Sequence, residues 1–220
     1  DTEVSGITFS AEEDKRCDCP QVIYTLFDIV DRPVNYIKTD RKGILGDLMF
    51  ALFNKAIGFS PSKYWGTLAQ TMYGNLEQKH IMLNFKYVEL QKAAEQIYFA
   101  GRIRATDSDY LHVNGVNFAG AKSNLYVDET IETKTTKSSS GIQREVVINY
   151  KNQYPASDCN LERGGLCLNA PLRNWLRIYV PLGSKLGKFE GSQKTVKTYD
   201  SLGKTVFEGF MTVSPMGSAK

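Results

Sequence analysis

The sequence predicts an α+β chain, with a small helix-rich region at residues 1–104 followed by an all-β, immunoglobulin-like sandwich domain at residues 105–220. Three observations predict it. Between residues 44 and 99 apolar side chains recur at three- and four-residue steps, the spacing of one helix face. After Ser108 the pattern changes to short runs rich in Val, Ile, Tyr, Phe and Thr, parted by Gly, Ser, Asn or Pro. Roughly six such runs follow one another with no helical stretch between them, as a sandwich requires.

In chain order, QVIYTLFDIV fits either a strand or a short helix. Thr39 or Asp40 is placed to cap a helix carrying Ile44, Leu45, Leu48, Met49, Leu52, Phe53 and Ile57, which ends near Gly58. Ser62 is placed to cap a second helix bearing Trp65, Leu68, Ala69, Met72, Tyr73 and Leu76. HIMLNF alternates like a strand, and Val88 to Phe99 returns to helical spacing with Gly101 as its stop. The strand candidates are DYLHVNGVNF, SNLYVDETIETKTT, IQREVVINYKN, NWLRIYVP, KTVKTY and KTVFEGFMTV, with KSSSG and DSLG as turns. Trp65 and Trp175 sit within apolar patterns, so core packing is the expectation for both.

Hydrophobic residues at 42% and charged residues at 23% describe an ordinary globular composition. The net charge of +3 is thinly spread, with no basic stripe of the kind that nucleic acid demands. ILGDLMFALF is interrupted by Asp47 and falls short of a membrane span. DTEVSGITFS has neither a basic nor an apolar leader segment, so it does not read as a signal peptide.

Four cysteines carry the compartment argument. Cys17-Asp18-Cys19 is too tight for a zinc pair, and Cys159 and Cys167 are too far apart for a knuckle. A catalytic thiol needs a histidine, and His80 and His112 lie in no recognisable motif. A Cys159–Cys167 disulfide suits the Gly164-Gly165 turn, and closing that loop would contribute about 2.6 kcal/mol in the chain-entropy model. Cys17 and Cys19 either join each other or cross to the other pair; four cysteines allow three connectivities. Disulfides place the chain outside the cytoplasm.

Other motifs fail on their context. Ser60-Pro61-Ser62-Lys63 matches the S-x-x-K of penicillin-binding proteins but lacks the companion elements. Gly203-Lys204-Thr205 ends like a phosphate loop but sits between two strands. Asp107-Ser108-Asp109 reads as a solvated loop rather than a cation site. No nucleophile, base and orienting group come together, so no catalytic, cofactor or metal residue is assigned. NGVNFAGAKSN is the one polar loop worth singling out: Asn114, Asn117, Lys122 and Asn124 surround two glycines and form a possible ligand-contact loop, or else a structured crossover.

ITFSAEE, DRKGILGDLM, SDYLHVNGVNFAGAKSNLYVDETI, NWLRIYVPLGSKL and GKTVFEGFMTVSP resemble the C-terminal part of an uncharacterised bacterial family of membrane-anchored envelope proteins, a domain of unknown function. The resemblance spans nearly the whole chain, and 109–131 with 173–183 carry it most specifically. It implies an N-terminal anchor and an extracytoplasmic domain upstream, with residues 1–104 as the end of that larger domain. The upstream part is distantly similar to transferases that attach glycopolymers to bacterial walls, a likeness of fold alone.

The expected function is therefore a non-catalytic module in the bacterial cell envelope, structural or binding, whose partner is an envelope protein or a cell-wall glycopolymer. The alternative is the accessory half of a membrane-anchored enzyme acting on such glycopolymers, with its chemistry upstream. In that case Arg163, Arg173 and Arg177 would at most add an anion-facing surface. A third reading is an adhesin-like sandwich. Neither nucleic acid nor a cofactor is expected, and membrane contact is expected only through the anchor.

Overall fold

A computed structural model describes residues 1–31, 42–58, 61–104, 106, 108–139 and 141–220. In chain order the strands are β1 (Thr2–Val4), β2 (Ile7–Phe9), β3 (Glu13–Asp14) and β4 (Cys19–Pro20), and the helices are α1 (Gln21–Asp31), α2 (Gly43–Ile57), α3 (Gly66–Glu77) and α4 (Val88–Gln96). Then come β5 (His112–Asn117), β6 (Val127–Ser138), β7 (Gly141–Asn152), β8 (Leu172–Pro181), β9 (Lys197–Ser201), β10 (Lys204–Val213) and β11 (Ser218–Ala219). Helix and antiparallel sheet are thus both present, and no sheet closes on itself. The chain forms two compact units, Asp1–Phe9 with Lys42–Ala105 and Ser10–Arg41 with Thr106–Lys220.

In the first unit β1 and β2 form a hairpin, and α2 packs on β1. Lys42 precedes α2 without a side-chain cap; Thr39 and Asp40 lie outside the described residues. Leu48 is buried, while Leu45, Met49, Phe50, Leu52, Phe53 and Ile57 face solvent. At 100° per residue these six cover an arc of roughly 160°. The apolar spacing of α2 was therefore read correctly as helix, but most of its apolar face is uncovered. Before α3 the backbone widens into a π turn over Pro61–Trp65, so Ser62 lies inside that turn and Trp65 occupies the N-cap position. Trp65 itself is 48% exposed, a correction to its expected place in a core.

HIMLNF is not a strand. Its amides find scattered partners instead of a ladder: Ile81 N–H donates to the Asn75 carbonyl, Leu83 N–H to Phe99, and Phe85 N–H to the Gln91 side chain. Alternation alone makes no strand without a neighbour to pair with. α4 ends at Gln96 rather than running on to Phe99, because Tyr98 takes a left-handed φ of 64°.

The second unit begins with residues that the sequence assigned to the helix-rich region. QVIYTLFDIV is the helix α1, and its Ile23, Tyr24 and Phe27 pack against a core of Cys17, Cys19, Tyr126, Leu166 and Leu168. The Tyr126 hydroxyl donates to the Cys17 carbonyl at 2.8 Å inside that core. The expected 1–104 region thus contains residues of both units.

Two antiparallel sheets form the rest, β5-β8-β10-β9 and β11-β7-β6. β6 and β7 pair along their whole length, and the ladder takes in Lys137, Ser138 and Gly141 of the expected KSSSG loop. β8 and β10 pair from Lys204↔Pro181 to Val213↔Leu172. Leu172, Leu176, Met211 and Val213 of one sheet share a core with Ile148 and Tyr150 of the other. At the sheet end Asn152 and Asn169 are both about 1% exposed and hydrogen-bonded to each other, which satisfies amides that would otherwise be costly to bury.

Both disulfides are local: Cys17–Cys19 and Cys159–Cys167. The 157–171 stretch is a folded staple. The Asn160 side chain accepts from Arg163 N–H, Gly164 takes a left-handed φ of 85°, and a Cβ on Gly165 would meet the Asp158 carbonyl oxygen at 2.2 Å. Cys159 and Cys167 are exposed, whereas Cys17 and Cys19 are buried at 7% and 5% exposure. Intact-mass analysis with a thiol alkylator should therefore find no label on unreduced protein. Rising reductant under native conditions should give an intermediate labelled at Cys159 and Cys167 only; labels appearing on all four cysteines without reductant would remove the staples altogether.

Candidate functional site

In an antiparallel ladder, directly opposed residues share a face. The β8–β10 register therefore sorts side chains without ambiguity. Leu172 with Val213, Asn174 with Met211, and Leu176 with Gly209 face the shared core. On the other face Trp175 meets Phe210, Arg177 meets Glu208, and Tyr179 meets Val206. The flanking strands extend these rows: β5 adds Val116, Asn114 and His112, and β9 adds Lys197 beside Glu208 and Tyr199 beside Val206.

The aromatic row lies across three strands. Phe118 stands 5.9 Å from the Trp175 ring on one side, and Phe210 stands 5.9 Å from it on the other. Their planes are tilted by 56° and 62° to the indole, so the two phenyl rings flank it rather than extend it. Phe118 is 66% exposed, Val116 is exposed, and Trp175 and Phe210 are partly covered. Trp175 thus belongs to the face away from the shared core, which corrects its expected burial.

One row along the strands, Glu208 Oε2 accepts from Arg177 Nε at 3.1 Å and from the Tyr199 hydroxyl at 2.9 Å. Its side chain is only 9% exposed. Burial by itself would push the Glu208 carboxyl up. The Trp175 indole, the Tyr199 hydroxyl and the Arg177 guanidinium outweigh that and hold it below its usual range. The indole N–H makes no hydrogen bond of good geometry, yet its positive end still favours the carboxylate. Glu208 in turn raises Arg177, and burial followed by Glu208 raises Tyr199. His112 is held down by burial and stacks on Tyr179 at 5.6 Å.

The residues singled out in the 114–124 loop separate into two groups. Asn114 lies in the Arg177 row of this face. Asn117 spends its side chain within the loop, donating to the Ala121 carbonyl and to Asn124 and accepting from Ala119 N–H. Lys122 lies over the Phe27 ring at 4.7 Å. Ser123 anchors the loop end to the Ala170 backbone. Elsewhere Arg163 pairs with Asp158, Arg173 is exposed, and Asp109 is gripped by Arg144 through both carboxylate oxygens. Ser60 and Asp107 lie outside the described residues. Among the described residues no three His, Cys, Asp or Glu side chains gather as a metal site, and no helix is long and apolar enough to cross a membrane.

Sequence reasoning missed Phe118, Trp175, Phe210, Arg177 and Glu208 as a group. The available signal was the pair of i, i+2 patterns, Trp175-Leu176-Arg177 and Glu208-Gly209-Phe210, each of which puts an aromatic and a charge on one strand face. Comparison with known proteins finds no matching family model, no matching curated protein and no matching solved structure.

Glu208 gives the face a pH signature. Its folded pKa lies below the ordinary 4.5, so the carboxylate stabilises the fold above that pH, and the contribution is lost as pH falls through the depressed value. Glu208→Gln should lower stability at pH 7 by about 1–3 kcal/mol. It should also flatten the decline in urea midpoint below pH 4.5. An undiminished acid decline in the variant would place the titrating group elsewhere.

Proposed function

We propose that this chain is a non-catalytic extracytoplasmic module of a bacterial envelope protein, the C-terminal part of the membrane-anchored family it resembles. Its working surface is the β5-β8-β10-β9 face centred on Trp175 and Arg177. The observation that carries this reading is that face. A partly exposed aromatic row beside a fully partnered ion pair suits a recognition surface, with anchors of the types that dominate binding energy. Two disulfides support an oxidising compartment. The shared core between two antiparallel sheets supports the immunoglobulin-like sandwich as the architecture of the C-terminal domain.

In this reading the 157–171 loop is a brace, and the 114–124 loop contributes to the face through Phe118 and Asn114. The 157–171 loop inserts Leu166 and Leu168 into the core beneath α1, and the 114–124 loop holds Phe118 at the edge of the aromatic row.

The test is co-sedimentation with an envelope fraction that retains both wall polymer and attached protein. The purified chain should pellet, and Trp175→Ala combined with Phe210→Ala should cut the bound fraction at least about tenfold. A chain that stays in the supernatant, or a double variant that pellets as well as the original, would overturn the proposal.

A further inference from the structure

We infer that the ligand of the Trp175 face is a pyranose-based glycan, seated on the Phe118–Trp175–Phe210 row and oriented by the Arg177–Glu208–Tyr199 cluster. This inference rests on the reading of that face as a binding surface and adds the chemistry of what it holds.

The argument is one of complementarity. The indole is flanked on both sides by tilted phenyl rings, Phe118 on the β5 side and Phe210 on the β10 side. With Phe118 exposed and Trp175 and Phe210 half-buried, the three rings leave a partly open apolar strip. A pyranose presents an apolar face of ring C–H groups and an equatorial rim of hydroxyls. The rim needs donors and acceptors beside the seat, held in place before the ligand arrives, since ordering them on binding costs affinity. The adjacent row supplies them. Glu208 is fixed by Arg177 and by Tyr199, and Asn114 stands opposite Arg177 in the register.

Charge separates this ligand from its rivals. Arg177 and Glu208 neutralise each other, and Lys197 on the far side of Glu208 leaves the central row a single exposed, unneutralised cation. A nucleic-acid strand also stacks on aromatic rings, but it needs cations along its phosphates. On the strands of this face the exposed cations outside the ion pair are Arg173 and Lys197, one near each edge, which is not a row that tracks a phosphate backbone. A lipid tail would seek a continuous apolar surface, and the ion pair one row away interrupts it.

The experiment uses the whole chain carrying Trp65→Phe, which leaves Trp175 as the sole indole. Hexasaccharides of β-1,4-linked glucose and β-1,4-linked N-acetylglucosamine, protein-free wall polysaccharide and an oligothymidylate are titrated separately. Binding is read by indole emission and by calorimetry. At least one glycan should give a saturable change, and the oligothymidylate none. By calorimetry Phe118→Ala, at an exposed position that the fold does not need, and Trp175→Ala should each weaken binding at least about tenfold, while Arg163→Ala leaves it unchanged. No saturable response to any glycan, an equal response to the oligothymidylate, or binding indifferent to Phe118 and Trp175 would overturn the inference. If the envelope fraction still pellets the chain through Trp175 and Phe210 while every glycan fails, the binding-module reading stands and the glycan falls. If the envelope fraction fails as well, both fall.

Discussion

The pairing of β8 with β10 is the constraint on which the second unit depends. Ten residues of each strand stand in register from Lys204↔Pro181 to Val213↔Leu172. Because the side-chain period along a strand is two, a slip by one residue would exchange the two faces. If β8 slipped on a fixed β10, Leu172 and Leu176 would leave the core, Trp175 and Arg177 would enter it, and Arg177 would part from Glu208. The apolar core and the polar-aromatic face therefore specify the same register from opposite sides. Burying Arg177 among Ile148 and Tyr150 while Glu208 stays behind without it would strand two charges, which opposes the slip together with the loss of core.

Around this ladder the chain uses short covalent and polar braces instead of one large core. Cys17–Cys19 and Tyr126 hold α1 and the 157–171 loop together as a second, smaller core. The Asn152–Asn169 amide pair and the Ser123 contact with Ala170 tie that core to the sheet ends. The first unit differs in kind. There α2 buries Leu48 and leaves a broad apolar arc in solvent, so its sequence specifies helices without specifying what lies over them.

Legibility in the sequence follows the range of the interaction. The β6–β7 hairpin, the 200–203 turn and the Cys159–Cys167 staple were legible because each closes within a few residues, through Ser and Gly turns or the Gly164-Gly165 bend. The placement of α1 was not, since its apolar side chains meet Tyr126, Leu166 and Leu168 from far along the chain. HIMLNF failed for the converse reason: its local pattern is strand-like, but its backbone partners are the ends of neighbouring helices. The Trp175–Phe210 face was not assembled from sequence because the two residues are 35 positions apart and only the register brings them together. Asn114 was found, yet as a loop residue; its membership of the Arg177 row depends on the same distant pairing.

The central claim is the register that composes this face, and the most direct measurement is the set of cross-strand nuclear Overhauser contacts between β8 and β10. The account predicts backbone contacts linking Trp175 with Phe210, Arg177 with Glu208 and Leu172 with Val213. Contacts offset by a single residue, linking Trp175 with Gly209 or Met211 as direct partners, would place the indole and Arg177 on the core side, away from Glu208, and contradict both the fold and the site described above.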